Sequence, residues 1–336
     1  MEGFYGIDVD RLLKISGKQG YGLSLAVAKG DEIETCCSGS GRYGQDFPVN
    51  PDMLFQAGSV SKPMFALTLL RYVDKGRIDL DADLSGVLSD FVRKPPLAFP
   101  ALLSHTAGYN VHGFAGYRAD APLLSLEDVL AGRGNSRKVV RIRPYGKQHR
   151  YSGGGITLAE LAFTRLAGTT LRDAFQKEVA EPLRLTRTGF FQPLDEDLVA
   201  NAAFGGRLAY RKSEDSAHGY HYYPEHAAAG LWTTPKELTK VGIALSRSFR
   251  KGGLLEQKTA ERMATPVLGG CGLCLFREGD TAYHSGANAG FLTFWRFSLK
   301  EDLCVAGMVN NSSGRTYKAM KEIEHILFEK PSDIDT

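Results

Sequence analysis

The chain has 336 residues, 43% hydrophobic, 24% charged and 10% aromatic. This is the balance of a globular protein that buries a sizeable core in one large domain or two moderate ones, and it excludes disorder, collagen and coiled coil as global descriptions. Lys plus Arg 41 against Asp plus Glu 38 leave a net charge of +3, too small to announce a nucleic-acid or anionic-membrane surface, so any basic patch is local.

The first twenty residues carry Asp8, Asp10, Arg11, Lys14 and Lys18 where a secretory signal needs an uninterrupted apolar run. The chain as numbered therefore reads as cytoplasmic, or as periplasmic or secreted if a leader has been removed. No stretch reaches the roughly 18 to 20 apolar residues of a spanning helix; the best candidate is 63–70, between Lys62 and Arg71. A short helix is expected over 9–16. The run at 22–28 reads as a strand, turned at Lys29-Gly30-Asp31 into a return strand at 32–38. Pro63 fits only near a helix start, so a helix running to Lys75 must begin near Ser59, with Gly76 as its stop.

From about 78 to 200 helical signals dominate. Ser125 with Asp128, Thr157 with Glu160 and Thr170 with Asp173 have the spacing of an N-cap and its acidic partner three residues on. Thr234-Pro235-Lys236-Glu237 opens another helix. Apolar runs at 271–276, 291–297 and 303–309 read as strands, and a last helix spans 317–329. The expected fold class is α+β. An antiparallel sheet with flanking helices is built from 1–78 and 200–336, a mostly helical domain is inserted at 79–199, and the active site lies in the cleft between them.

Five cysteines (Cys36, Cys37, Cys271, Cys274, Cys304) are an odd count and read as reduced thiols. Cys271-Gly-Leu-Cys274 has redox or zinc spacing but no second metal-binding pair, and a strand would send the two to opposite faces. His218, His221 and His226 form either a metal-binding loop or a polar surface segment, the second being the plainer reading. No metal and no cofactor is expected.

Three motifs can share one cleft. Ser59-Val60-Ser61-Lys62 sets a hydroxyl and an amine one helical turn apart at a helix start, where unpaired N–H groups favour an oxyanion and a less basic lysine. The plainer alternative is a capping Ser and a solvated Lys. Tyr151-Ser152-Gly153-Gly154-Gly155 reads as a glycine-rich loop before a helix at Thr157; a nearby ammonium would favour the Tyr151 phenolate that a general base requires, against a buried hydroxyl with a backbone partner. His284-Ser285-Gly286-Ala287-Asn288-Ala289-Gly290 has small residues at 285–287 against which a substrate can lie as an added strand, against a tight hairpin with an incidental His.

Taken together and in this order, the motifs resemble the catalytic set of the serine β-lactamase and penicillin-binding-protein superfamily. The likeness is closest to its class-C-like branch of esterases, D-amino-acid peptidases and transacylases. Leu102-Leu103-Ser104-His105-Thr106-Ala107-Gly108, Pro182 through Phe190 and Ala228 through Pro235 agree, and the resemblance runs from about 20 to 312. It implies the β-lactamase/DD-peptidase-like fold, with Ser59 as nucleophile and Lys62 with Tyr151 as the proton-transfer pair. The backbone N–H groups of Ser59 and Ala287 would form the oxyanion hole, with His284, Ser285, Gly286 and Gly153 at the substrate.

Two positions depart from the lactam-binding pattern: His284 stands where Lys is usual and Gly153 where Asn is usual, as in esterase and D-peptidase relatives. The expected activity is a serine hydrolase acting through an acyl-enzyme on a small-molecule ester, amide or short peptide. The alternatives are a β-lactamase or DD-carboxypeptidase, a transacylase, or a non-catalytic acyl-binding or sensor protein. No nucleic-acid partner and no membrane span are expected, and oligomeric state is not legible. A basic segment, Arg133, Arg137, Lys138, Arg141, Arg143, Lys147 and Arg150, is either a solvated face or the source of an arginine that replaces the missing Lys toward an anionic substrate.

Overall fold

The computed structural model describes residues 4–7, 21–92, 96–118, 121–205 and 219–329; the helix expected over 9–16 lies outside them. Strands β1 (Gly22–Lys29) and β2 (Glu32–Gly39) form the expected hairpin. With β3 (Phe276–Glu278), β4 (Thr281–Asn288), β5 (Phe291–Ser298) and β6 (Leu303–Val309) they make an antiparallel six-stranded sheet ordered β2-β1-β6-β5-β4-β3. Pairing of Leu23 with Val309 through Lys29 with Leu303 joins the two ends of the chain in one sheet.

β1 is buried from Gly22 to Ala28 because both its faces are covered. Strand alternation sends Leu23, Leu25 and Val27 to the face where Leu292, Phe294 and Val305 meet Met320, Ile323 and Leu327 of a C-terminal helix, Gly314–Glu329. Ala28 joins Trp295, Phe297 and Met308 on the other face, under Leu238, Val241 and Leu245 of the helix Pro235–Lys251. The indole of Trp295 donates to the Leu238 carbonyl across that interface, 2.9 Å. The same cluster continues through Phe65, Leu102, Leu158, Phe163 and Phe175, so the sheet and the helical stretch share one core.

Helices are numbered α1 (Ser61–Asp74), α2 (Gly153–Ala167), α3 (Pro235–Lys251) and α4 (Gly314–Glu329); shorter ones are named by their residues. Thr234 caps α3 through the Glu237 N–H as expected. The buried Glu237 carboxylate then accepts from the N–H groups of Thr186 and Arg187 and from the Thr188 hydroxyl, which ties the 182–190 stretch to the helix start. Ser125 forms a reciprocal capping box with Asp128, and Thr170 caps its own short helix.

Two expectations about local structure change. α2 starts at Gly153, one turn before Thr157, with Ser152 as its cap on the Gly155 N–H, while Thr157 bonds back to the Gly153 carbonyl inside the helix. The run at 271–275 is a tight turn, and only Phe276–Glu278 is strand. The physical reason is Gly272: a Cβ there would collide with the Met263 carbonyl, and Cys274 takes a left-handed φ of +61°. Cys271 and Cys274 are buried, and none of the five cysteines is joined in a disulfide.

Candidate active site

Ser59 occupies the middle of a 3-10 turn, Gly58–Val60, and the α-helix proper begins at Ser61. The expected helix start at Ser59 is thus displaced by two residues, because Gly58 at φ +53° turns the chain before the α-helical ladder closes. The turn packs against β4. A Cβ on Gly286 would collide with the Ala57 carbonyl and lie 3.0 Å from the Ser59 nitrogen, and one on Gly58 would lie 2.7 Å from the Ala287 nitrogen. Only glycine at both positions lets strand and turn approach this closely.

The pairing of Asn288 with Phe291 closes β4 and β5 through a two-residue turn, Ala289-Gly290. Antiparallel alternation then directs the Ala287 N–H away from β5 and toward the Ser59 turn. The backbone nitrogens of Ser59 and Ala287 thus lie in the segments where the Ser59 turn and β4 pack against each other. Asn288 is buried and locks this end of β4, donating to the Gln56 side chain and the Ala229 carbonyl at 3.0 Å each.

Lys62 is 2% exposed, and its ammonium nitrogen donates to Ser59 Oγ at 2.9 Å and to the Ala228 carbonyl at 2.7 Å. Burial lowers its pKa to about 7, since an ammonium loses more solvation than an amine. Ala228 is presented by the short helix His226–Ala229, which is anchored to α2 by the Ala227 N–H on the Glu160 carboxyl, 2.8 Å. Burial pushes the Glu160 carboxyl well above the usual carboxylate range.

The Tyr151 hydroxyl faces Ser59, whose side chain acts to lower its pKa, and its ring lies 5.0 Å from the Lys62 nitrogen. Burial outweighs the effect of Ser59 and raises the phenol above its ordinary value. The expectation of a phenolate is therefore corrected: desolvation leaves Tyr151 protonated and the amine of Lys62 easily deprotonated. The Tyr151 ring is flanked by the imidazoles of His105 and His112, with ring centres 4.3 and 4.9 Å away.

The cleft has a volume of about 390 Å³, and Ser59, Lys62, Tyr151, His284, Ser285, Gly286 and Ala287 all line it. Gly153 does not. Its N–H donates to the His112 carbonyl, and a Cβ there would lie 3.0 Å from both that oxygen and the Phe114 ring. The space beside Gly153 is already filled, so its expected place at the substrate is corrected. His284 holds its proton on Nδ1, which donates to the Ser285 carbonyl at 2.7 Å. Burial, with the charge of Lys62, lowers its pKa to about 3, so the ring is neutral and supplies no cation in place of the usual Lys.

None of the seven basic residues around Tyr151 lines the cleft. Arg133 pairs with Asp128 at 2.7 Å, and Arg141 reaches the Pro96 carbonyl and the rings of Tyr109 and Tyr145. His221 meets the Ala115 carbonyl at 2.9 Å and His226 lies 3.8 Å from Glu160; His218 is outside the described residues. No helix among the described residues is long and apolar enough to cross a membrane. The loop 109–122, expected to wall the pocket, supplies His112 and Phe114, which a loop signal alone cannot single out; sequence reasoning missed the Ala228 carbonyl, whose role depends only on backbone position.

Known proteins resemble this chain in sequence and in fold. The Beta-lactamase family profile matches residues 9–326. PbpX of Bacillus subtilis, whose name places it among penicillin-binding proteins, is 24% identical over 267 residues, covering 77% of this chain and 63% of that protein. Teichoic acid D-alanine hydrolase of Staphylococcus aureus is 22% identical over 209 residues, covering 59% and 49%. The chain thus spans about half to two thirds of the length of these curated relatives. Among solved structures, D-amino acid amidase from Ochrobactrum anthropi complexed with L-phenylalanine amide superposes with a TM-score of 0.78 at 19% identity, covering 94% of each chain. The α+β fold of an antiparallel sheet with packed helices is shared with that enzyme, and with a profile matched over nearly its whole length the chain belongs to the β-lactamase family of hydrolases.

Proposed function

We propose that this protein is a serine hydrolase that forms an acyl-enzyme on Ser59 with an ester or amide, of the esterase or D-amino-acid peptidase and amidase type. One observation carries the reading: the buried Lys62 amine, its pKa lowered to about 7, lies 2.9 Å from Ser59 Oγ. Free amine accepts the Ser59 proton as Oγ attacks the carbonyl carbon. The carbonyl oxygen takes the negative charge between the Ser59 and Ala287 N–H groups, an arrangement in which one donor is worth about 3 kcal/mol. Collapse of the tetrahedral species expels the alcohol or amine, to which the protonated Tyr151 or Lys62 gives a proton. Water then attacks the acyl-enzyme by the same route in reverse, and an alcohol or amine in its place gives transacylation.

The wall of the cleft supports substrates without the carboxylate and acylamino arm of a penicillin. His284 is neutral, the seven basic residues lie elsewhere, and Phe114 and the His112 carbonyl occupy the space beside Gly153. The names of two relatives, an amino acid amidase and a D-alanine hydrolase, favour the same class. The lining draws on both proposed divisions of the chain, 1–78 with 200–336 and 79–199.

Intact-mass measurement after treatment with a fluorophosphonate or with penicillin, beside p-nitrophenyl ester hydrolysis, tests the proposal. The expected result is a fluorophosphonate adduct and ester turnover in the wild type, both abolished in Ser59→Ala, with little penicilloyl adduct. Reactivity that survives in Ser59→Ala overturns the proposal, and stable acylation without product release moves the assignment to an acyl-binding protein.

A further inference from the structure

His105 holds the peptide on both sides of Tyr151. Its carbonyl accepts the Arg150 N–H at 2.8 Å and its Nδ1 accepts the Ser152 N–H at 3.2 Å. Its ring lies against the Tyr151 ring, with centres 4.3 Å apart and planes at 35°. The residue is 2% exposed and sits at φ +59° just after the short helix Phe99–Leu103, a left-handed conformation that few side chains adopt without compensation.

To accept from Ser152, Nδ1 must be bare, which puts the proton on Nε2. That buried Nε2 has no hydrogen-bond partner among the described residues. An unpaired buried donor costs stability that an apolar ring of the same shape would avoid. The acceptor at Nδ1 is what an imidazole supplies here and a phenyl ring cannot. Burial, followed by the charge of Lys62 and the neighbouring imidazoles of His284, His149 and His112, keeps the ring neutral.

From this geometry we propose that His105 is a positioning residue for catalysis: by bracketing residues 150 and 152 it sets the hydroxyl of Tyr151 against Ser59. The proposal rests on the role given to Tyr151 above. A displacement near 1 Å at a reacting group is enough to lower the rate by about a hundredfold.

The test compares His105→Leu with His105→Asn. The asparagine carbonyl stands where Nδ1 stands and tolerates a left-handed φ. With a p-nitrophenyl ester, His105→Leu is expected to lower kcat about tenfold to a hundredfold with KM changed less than about twofold, while His105→Asn stays within about threefold of wild type. In a Tyr151→Phe background, His105→Leu is expected to lower kcat by less than a further factor of about two, because its effect passes through the missing hydroxyl. Equal losses in the Leu and Asn variants, a loss confined to KM, or full additivity with Tyr151→Phe overturns the proposal. If His105→Leu does not fold, His105→Gln replaces it. That variant moves the acceptor outward by one bond, so kcat equal to that of His105→Asn overturns the idea. Tyr151→Phe with wild-type kcat overturns the role of Tyr151 itself, independently of any His105 result.

Discussion

The two ends of helix α1 treat a buried charge in opposite ways. Near its start Lys62 is buried with only a hydroxyl and a carbonyl as hydrogen-bond acceptors, and no carboxylate pairs with it among the described residues. At its far end Arg71, Lys75 and Arg77 surround the fully buried carboxylate of Glu178, with Arg71 at 3.9 Å, Arg77 at 3.6 Å and Lys75 in direct contact. A buried carboxylate ringed by cations ties distant segments of the fold together, whereas a buried ammonium with no carboxylate beside it gives up its proton more easily. One helix therefore carries both an ion-pair cluster and a buried amine whose pKa is lowered to about 7.

The largest expected effect breaks the active end. Lys62→Met should lower kcat/KM for an ester by about a thousandfold, the middle of the range of general-base contributions, while its melting temperature stays level or rises because a buried amine with no carboxylate partner has been removed. Glu178→Gln should do the reverse. It leaves three cations around a neutral amide, and a loss of about 3 kcal/mol in urea unfolding is expected, with kcat within about twofold of wild type. Equal effects of the two substitutions on activity would erase the contrast.

The pH dependence sharpens it. With free amine as the proposed base, kcat/KM should fall as pH drops below about 7 and level off above it. Stability has its own sign. Lys62 titrates near 7 when folded and near 10.5 when unfolded, so between those values the unfolded chain holds more protons and stability rises with pH. The penalty from Lys62 is full below about pH 7 and disappears as pH passes 10.5, and this slope should be missing from Lys62→Met.

A smaller effect concerns the cleft wall. Gly153→Asn, which restores the residue usual in lactam-binding relatives, should cost about 1 to 3 kcal/mol by overpacking against Phe114 and the His112 carbonyl, with no gain in nitrocefin hydrolysis. The least effect is expected from Arg137→Ala and Arg143→Ala, both exposed and outside the cleft. KM for an anionic ester should change by less than about twofold relative to a neutral one. A larger, charge-selective change would return the basic segment to the substrate.

Much of the fold was legible because it is written in short-range patterns. The hairpin at β1 and β2, the strands β5 and β6, and the caps at Ser125, Thr170 and Thr234 all follow from alternation and capping chemistry. The misread pieces are those in which a distant contact overrides the local signal. Thr157 has the spacing of a cap, yet Ser152 caps α2 because Gly153 and Gly154 fit against the 110–112 segment and Val139. Cys271 through Leu275 is apolar enough for a strand but is bent by its contacts with Met263 and Leu103. Ser59, Lys62 and Tyr151 were legible as chemical types at the right spacing. Their protonation states were not, since desolvation is a property of surroundings rather than of neighbours in the chain.

By itself the amino-acid sequence determined that a hydroxyl and an amine share one helical turn, that small residues line a strand near the C-terminus, and that an α+β protein of this family results. Only the tertiary structure decided that the amine is buried without a carboxylate, that Tyr151 keeps its proton, that Gly153 is walled off from the cleft, and that the Ser59 turn packs against the strand carrying Gly286 and Ala287. Each of these depends on which distant segments exclude water from one another, and burial of that kind is settled by the packed fold.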